Sequence, residues 1–285
     1  MEKQGYILIT GATGQQGGAI ARELLGHGYR VKAMTRNPKG EKAQAIEKRG
    51  AEIIYGDLDD AQSLERALNG VWGVFSVQNT WEAGVEREEE QGKRFAEIAK
   101  KKGVQHFVYS SVGSAHRKTG IPHFDNKWRI EETVRQLGFP SYTIIRPAFF
   151  MENFTSPWFK PGIDAGTLMV GIKPETVLQM IAVQDIGKYG LWAFSNHQEL
   201  NGRAIDIAGD ALTMPEVAKI ISKVSGKTVE FVQTPIEEVR KFSSDFAAML
   251  EWFDRVGYNA DIQLNAKESG IKPTRFSEWA AHVEW

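Results

Sequence analysis

A short apolar run, Tyr6-Ile7-Leu8-Ile9-Thr10, enters Gly11-Ala12-Thr13-Gly14-Gln15-Gln16-Gly17-Gly18, and a helical pattern with Ile20, Leu24 and Leu25 follows at once. Few folds accept that junction. The run reads as a buried strand, and Gly26 and Gly28 stop the helix. Three glycines at G-x-x-G-x-x-G spacing turn the strand directly into the helix. Gly11 permits the tight bend, Gly14 lets backbone approach a pyrophosphate without a Cβ between, and Gly17 allows helix to pack on strand. An anion at the first turn would meet unpaired N–H groups and the positive end of the helix dipole. Thr13, Gln15 and Gln16 belong to the same candidate cofactor set. The alternative is a tight turn with no ligand.

The strand–helix rhythm continues. Tyr29 to Thr35 is a strand, Glu41 to Arg49 a helix, Glu52 to Tyr55 a strand, Asp60 to Leu68 a helix and Gly73 to Val77 a strand. Val85 to Lys102 is a long charged helix, Gln105 to Ser110 a strand, Asn126 to Leu137 a helix and Tyr142 to Arg146 a strand. Such alternation predicts an α/β protein with a Rossmann-type, doubly wound parallel sheet. After Pro147 the rhythm is lost. Gln184 to Phe194 reads as a helix, Arg203 to Ala208 as a strand, Met214 to Ser225 as a helix, Val229 to Val232 as a strand and Ile236 to Val256 as one helix. The expected division is a nucleotide-binding domain over residues 1–148, with a segment near 184–208 returning to it, and a smaller C-terminal α/β lobe over 149–285.

The end of the second strand selects among dinucleotides. An NAD site places Asp or Glu there to accept from the ribose 2′-OH. This chain has Thr35-Arg36-Asn37-Pro38-Lys39. Arg36, with Asn37 and Lys39, suits a 2′-phosphate, which favours NADP(H); otherwise Arg36 is a solvated loop charge. Composition closes other routes. With no cysteine among 285 residues there is no disulfide, thiolate metal site or cysteine nucleophile. A net charge of −1 gives no global basic excess for nucleic acid. No apolar stretch approaches a membrane span, and the N-terminal Met1-Glu2-Lys3-Gln4-Gly5 carries no signal pattern. The expectation is a cytoplasmic protein without membrane or nucleic-acid partners. His106, His116 and His123 lack metal-ligand spacing, and Glu86 to Glu90 reads as a solvated helix face.

The opening turn, Arg36-Asn37-Pro38, Gly56-Asp57-Leu58-Asp59-Asp60, Asn79-Thr80-Trp81-Glu82, His123-Phe124-Asp125-Asn126-Lys127 and Arg146 to Phe154 together resemble the NmrA-like family of atypical short-chain dehydrogenases. Within it the chain is most similar to the NADPH-sensing branch. The resemblance implies that Asp57 and Leu58 lie against adenine. It places Asn79 and Thr80 toward the ribose–nicotinamide half, Lys127 on the nicotinamide ribose, and Phe150 and Asn153 beside the nicotinamide. Each has a plain alternative: a turn or cap for Asp57, loop positions for Asn79 and Thr80, core for Phe150.

Enzymatic relatives carry Tyr-x-x-x-Lys on one helix face. Here that spacing is His123-x-x-x-Lys127, so His123 and Lys127 are the candidate catalytic residues. His123 is otherwise a loop or capping residue, and Lys127 otherwise only binds ribose. Ser110 and Ser111 stand where relatives keep a substrate hydroxyl. Two readings remain. One is an NADPH-dependent oxidoreductase of a small apolar electrophile such as a quinone, enal or imine, with the aromatic stretch Phe149 to Phe159 forming its pocket. The other is an NADPH/NADP redox sensor acting through a regulated protein partner. A homodimer is left open.

Overall fold

The computed structural model describes residues 5–285; residues 1–4, part of the segment read as free of a signal pattern, lie outside the described residues. In the first half strands and helices alternate: β1 (Tyr6–Ile9), α1 (Gln15–Gly26), β2 (Arg30–Thr35), α2 (Glu41–Glu47), β3 (Glu52–Tyr55), α3 (Ala61–Ala67), β4 (Val71–Ser76), α4 (Thr80–Ala83), α5 (Val85–Lys101), β5 (His106–Ser110), α6 (Pro122–Gln136) and β6 (Ser141–Pro147). There follow β7 (Phe149–Phe150), α7 (Lys160–Asp164), β8 (Thr167–Val170), β9 (Val177–Ile181), α8 (Val183–Ser195), β10 (Ala204–Ile207) and β11 (Asp210–Thr213). The chain ends with α9 (Met214–Ser225), β12 (Glu230–Gln233), α10 (Ile236–Phe242), α11 (Ser244–Arg255), α12 (Ile262–Ser269) and α13 (Phe276–Ala280).

Ile7, Leu8 and Ile9 are wholly buried, as a central strand covered on both faces requires. The main sheet has the order β10-β6-β5-β4-β1-β2-β3, and all its pairings are parallel. The fold is thus the expected doubly wound α/β type. The direction of winding reverses between β1 and β4, where such sheets bind ligands beyond the strand ends. On one face α1 packs Ile20, Ala21 and Leu24 against Ile186, Tyr189 and Phe194 of α8. The contact is close: a Cβ on Gly187 would lie 2.9 Å from the Ala19 carbonyl oxygen. On the other face Leu64 of α3, Phe95 of α5, and Ile130 and Val134 of α6 cover the sheet. β10 comes from the later half of the chain and closes the sheet beside β6, with Ala204 opposite Ile144.

Two smaller sheets, β11-β9-β7 and β12-β8, build the remainder with α9, α11 and α13. Their shared core includes Phe149, Phe154, Met180, Ile221, Trp252, Phe253 and Trp279.

The structure corrects several sequence expectations. α6 begins at Pro122, a turn before Asn126, because proline at the first helical position needs no N–H partner. The helix expected over 236–256 is two helices. Ser243 is extended and its hydroxyl accepts from the Phe246 N–H, 3.1 Å, so it caps α11. Glu86 to Glu90 is not uniformly solvated, since Glu88 is fully buried on the α5 stripe that continues through Gly92, Phe95 and Ala99. The strands β8, β9 and β11 were not anticipated.

Candidate functional site

The cradle forms where β1 meets α1. Gly11 adopts φ +59°, a left-handed conformation that favours glycine. The Gly14 N–H donates to the Gly11 carbonyl at 2.9 Å and closes the turn. A Cβ on Gly17 would sit 2.6 Å from Gly11 C and 2.7 Å from Thr10 O, so this position is glycine for reasons of packing. Gly14 caps α1 with no side-chain bond, and no acidic residue lies in the first turn. The N–H groups of Gln15, Gln16 and Gly17 find no acceptor among the described residues. Three aligned donors and the helix dipole are what a phosphate group needs. Thr13 stands half-buried in the turn and Gln15 is exposed at its mouth. Gln16 is anchored: its Oε1 accepts from the Ser110 hydroxyl at 2.6 Å. Thr10 Oγ1 both donates to the Val77 carbonyl and accepts from its N–H, each at 2.8 Å, binding the ends of β1 and β4 together.

At the end of β2, Arg36 is exposed and forms an ion pair with Glu82 of α4. Asn37 is exposed and donates its N–H to Thr35 Oγ1 at 3.1 Å; Lys39 is exposed beside it. Asp57 follows β3, and its carboxylate accepts from the Asp59 N–H at 3.0 Å, an Asx turn. The helix cap of α3 is Asp60 rather than Asp57. Leu58 is half-buried, and its carbonyl accepts from Arg94 at 2.8 Å. Asn79 caps α4 by accepting from the Trp81 N–H, 3.2 Å.

Beyond β4 and β5 lies a buried polar cluster. Glu88 has no exposed side-chain surface. It accepts from Lys127 Nζ at 2.6 Å, from Asn126 Nδ2 at 2.8 Å and from the Thr80 hydroxyl. Burial pushes the Glu88 carboxyl up. The Lys127 charge and the three donors outweigh that, and hold it below its ordinary range. Thr80 and Lys127, expected on the same half of a nucleotide, therefore meet through a residue that sequence reading missed. The signal was present: Glu88, Gly92, Phe95 and Ala99 fall on one helical face.

His123 lies one turn before Lys127 on α6, and its ring is buried. Its Nδ1 is 2.7 Å from Asp245 Oδ1 of α11. Trp81 packs on the imidazole with ring centroids 5.2 Å apart, and Phe124 stands edge-on at 4.8 Å. α6 is fixed to the sheet from below: Arg146 at the end of β6 donates twice to the buried Glu131, at 2.8 and 2.6 Å, and once to Asp206 of β10. Asp245 lies far along the chain, and nothing in the local pattern pointed to it.

Phe150 is half-buried against the core that includes α1 and α8, and Asn153 occupies a 3-10 turn over Met151–Thr155. Neither is bonded to His123 or Lys127 among the described residues. The aromatic stretch expected as a pocket is largely core: Phe149 and Phe154 are buried, while Trp158 is exposed. Ser111 Oγ, Asn126 Oδ1 and Gln78 Oε1 are buried without partners, leaving unmet hydrogen-bonding capacity near the ends of β4 and β5. Among the described residues no His, Asp and Glu cluster is arranged to hold a metal, and no helix is long and apolar enough to cross a membrane.

Residues 3–280 match the NmrA-like family. The chain belongs to the NmrA-like family. An NmrA-like family domain-containing protein of Dictyostelium discoideum is 30% identical, over 98% of each chain. An NmrA-like family domain-containing oxidoreductase of Malbranchea aurantiaca is 28% identical over 98% of this chain and 96% of its own. Among solved structures, the Citrobacter triphenylmethane reductase complexed with NADP(H) superimposes with a TM-score of 0.82 at 21% identity, over 97% of this chain and 98% of that one. NmrA, a negative transcriptional regulator in complex with NADP, gives 0.80 at 20% identity, over 99% and 96%. The fold is thus shared by a reductase and a regulator, and the function must be argued from the site.

Proposed function

We propose that this NmrA-like protein is an NADPH-dependent reductase of a small conjugated electrophile, such as a quinone, enal or imine. The observation that carries the reading is the pair of carboxylate-held side chains one helical turn apart: His123 on Asp245 and Lys127 on Glu88. A carboxylate at Nδ1 fixes the tautomer and the orientation of an imidazole and leaves Nε2 for proton transfer.

The residues present fit a dinucleotide. The bare amides of Gln15, Gln16 and Gly17 would hold the pyrophosphate, with Gly11, Thr13 and Gly14 shaping the approach. Arg36, with Asn37 and Lys39, would face the 2′-phosphate, and Asp57 and Leu58 the adenine. Asn79, Thr80 and Lys127 would serve the nicotinamide ribose, with Phe150 and Asn153 beside the ring. When bound, NADPH supplies the two electrons and one hydrogen of the reduction. The protein orients the reactants and delivers the single proton that completes the reduction. The reading assigns that delivery to Nε2 of His123 once that nitrogen has itself taken a proton from solvent, Nδ1–H staying on Asp245. Lys127 acts as a fixed donor rather than a base, because removing its proton would leave Glu88 buried and unpaired. The oxidoreductase relative and the reductase of like fold support this reading.

A regulatory role is the second reading. It is favoured by the absence of a tyrosine at position 123 and by the Trp81 ring that covers His123. The deciding experiment follows loss of the reduced-nicotinamide absorbance against a panel of quinones, enals and imines, beside calorimetry of NADPH binding. Turnover that His123→Ala removes while binding persists supports the reductase. Tight binding with no turnover on the panel supports the regulator.

A further inference from the structure

The short helix α4 carries three consecutive side chains with three different anchors. Thr80 is bonded to the buried Glu88, which holds Lys127. Trp81 lies on His123, and on Phe246 of α11 at 6.2 Å between ring centroids. Glu82 is paired with Arg36. Before it stands Asn79, the cap; after it stands Gly84 at φ +82°, a sharp bend into α5.

The third anchor has a particular position. Arg36 follows β2 and Glu82 follows β4, and these strands flank β1 in the sheet. The ion pair therefore spans the end of β1, beside the Gly11–Gly14 turn and the bare amides of α1. Both side chains are more than half exposed, at 62% and 53%. An ion pair in water is weak, because solvent screens it and two long side chains lose freedom in making it. A dianionic phosphate ester offers the same guanidinium more charge and a bidentate geometry. The two anions cannot both hold the same face of one guanidinium.

We propose that Glu82 is a specificity-determining residue: an internal carboxylate that occupies Arg36 until a nucleotide 2′-phosphate displaces it, so that 2′-phosphorylated dinucleotides alone release α4 from that anchor. The inference rests on the reading of Arg36 as the 2′-phosphate contact. Its consequence is directional. With Glu82 freed, α4 keeps its Thr80 anchor and loses its tie across β1. The Trp81 ring keeps its contacts with His123 and Phe246, but the helix that carries it is held by two anchors instead of three. The chain would distinguish NADP(H) from NAD(H) in two ways, by affinity and by the mobility of the helix that covers His123.

The test uses the full chain, NADP⁺ and NAD⁺, with calorimetry and hydrogen exchange of the peptide spanning residues 79–84. Removing an exposed competitor should be modest in effect: Glu82→Gln should tighten NADP⁺ about two- to five-fold and leave NAD⁺ unchanged. In the unmutated chain NADP⁺ should speed exchange in this peptide and NAD⁺ should not. Glu82→Gln should exchange fast without any ligand. An unchanged NADP⁺ affinity in Glu82→Gln, or equal gains for both nucleotides, overturns the proposal. So does a gain in affinity when NADP⁺ leaves exchange of the peptide unaltered in the unmutated chain, since that indicates repulsion without displacement. Arg36→Ala separates this failure from that of the underlying reading. If Arg36→Ala leaves the NADP⁺/NAD⁺ ratio intact, Arg36 is not the 2′-phosphate contact. If it collapses the ratio while Glu82→Gln does nothing, only the role of Glu82 falls.

Discussion

His123 and Asp245, 122 residues apart in sequence, face each other across 2.7 Å and join α6 to α11. A carboxylate at Nδ1 places the proton of the neutral imidazole on that nitrogen. Asp245→Asn keeps the shape and removes the charge. The expected result is a mixture of imidazole tautomers in long-range proton–nitrogen NMR, where the unmutated chain shows the Nδ1–H form. Turnover on any active electrophile should fall about ten-fold or more, with NADP⁺ affinity unchanged. An unaltered tautomer would show that Asp245 does not set the ring.

Lys127 is a structural partner before it is anything else. Lys127→Met leaves Glu88 buried without its counter-charge, an error that costs about 3–5 kcal/mol. Urea denaturation without ligand should register that loss. Pairing the change with Glu88→Gln should restore much of it, because the uncompensated charge is gone. If Lys127→Met unfolds at the same urea concentration as the unmutated chain, the ion pair contributes little to folding.

The same pair fixes the sign of an acid effect. Glu88 is held below its ordinary value of 4.5 in the folded chain. Its stabilisation is therefore present above that value and is lost as pH falls through the lower, folded one. Melting curves between neutral pH and the acid range should show this loss, and Glu88→Gln should flatten the slope. A slope that the variant leaves intact assigns the acid sensitivity to other carboxylates.

Two glycines of the cradle should fail differently. At Gly17 a new Cβ meets backbone atoms at 2.6 and 2.7 Å, and backbone cannot give way cheaply. Gly17→Ala should destabilise by about 1–3 kcal/mol or more. At Gly14 the nearest atom would be Gly11 O at 3.2 Å, a contact a small shift relieves. Gly14→Val should melt close to the unmutated temperature and lose dinucleotide binding. Normal binding by that variant would place the phosphates elsewhere.

The sheet was legible because the early strands are short apolar or alternating runs ended by turn residues, and the helices between them are closed by glycine. The pattern failed where tertiary packing sets the structure. β8, β9 and β11 are four or five residues each and are defined by partners far along the chain. The break at Ser243 was readable in principle, since a serine before Ser244-Asp245-Phe246 is a helix-start signal inside an otherwise helical span. At the site, the residues that accept from the candidates were hidden in two ways. Glu88 sat inside a charged run that looked solvated, and Asp245 reaches α6 only through the folded arrangement of α11. Arg36 was read against a ligand, and its partner Glu82 was not sought.

The placement of α8 and β10 bears on the order in which the protein can assemble during synthesis. Ile20 of α1 rests against Gly190 of α8, and the edge of β6 is covered by β10. Both covering elements leave the ribosome after the whole of β1 to β6. Until they arrive, the first-made helix shows an apolar face and the sheet shows an unpaired strand, the two surfaces that favour association between nascent chains. The phosphate cradle, although written in the first eighteen residues, acquires its rigid backing only once the chain has been made through residue 207.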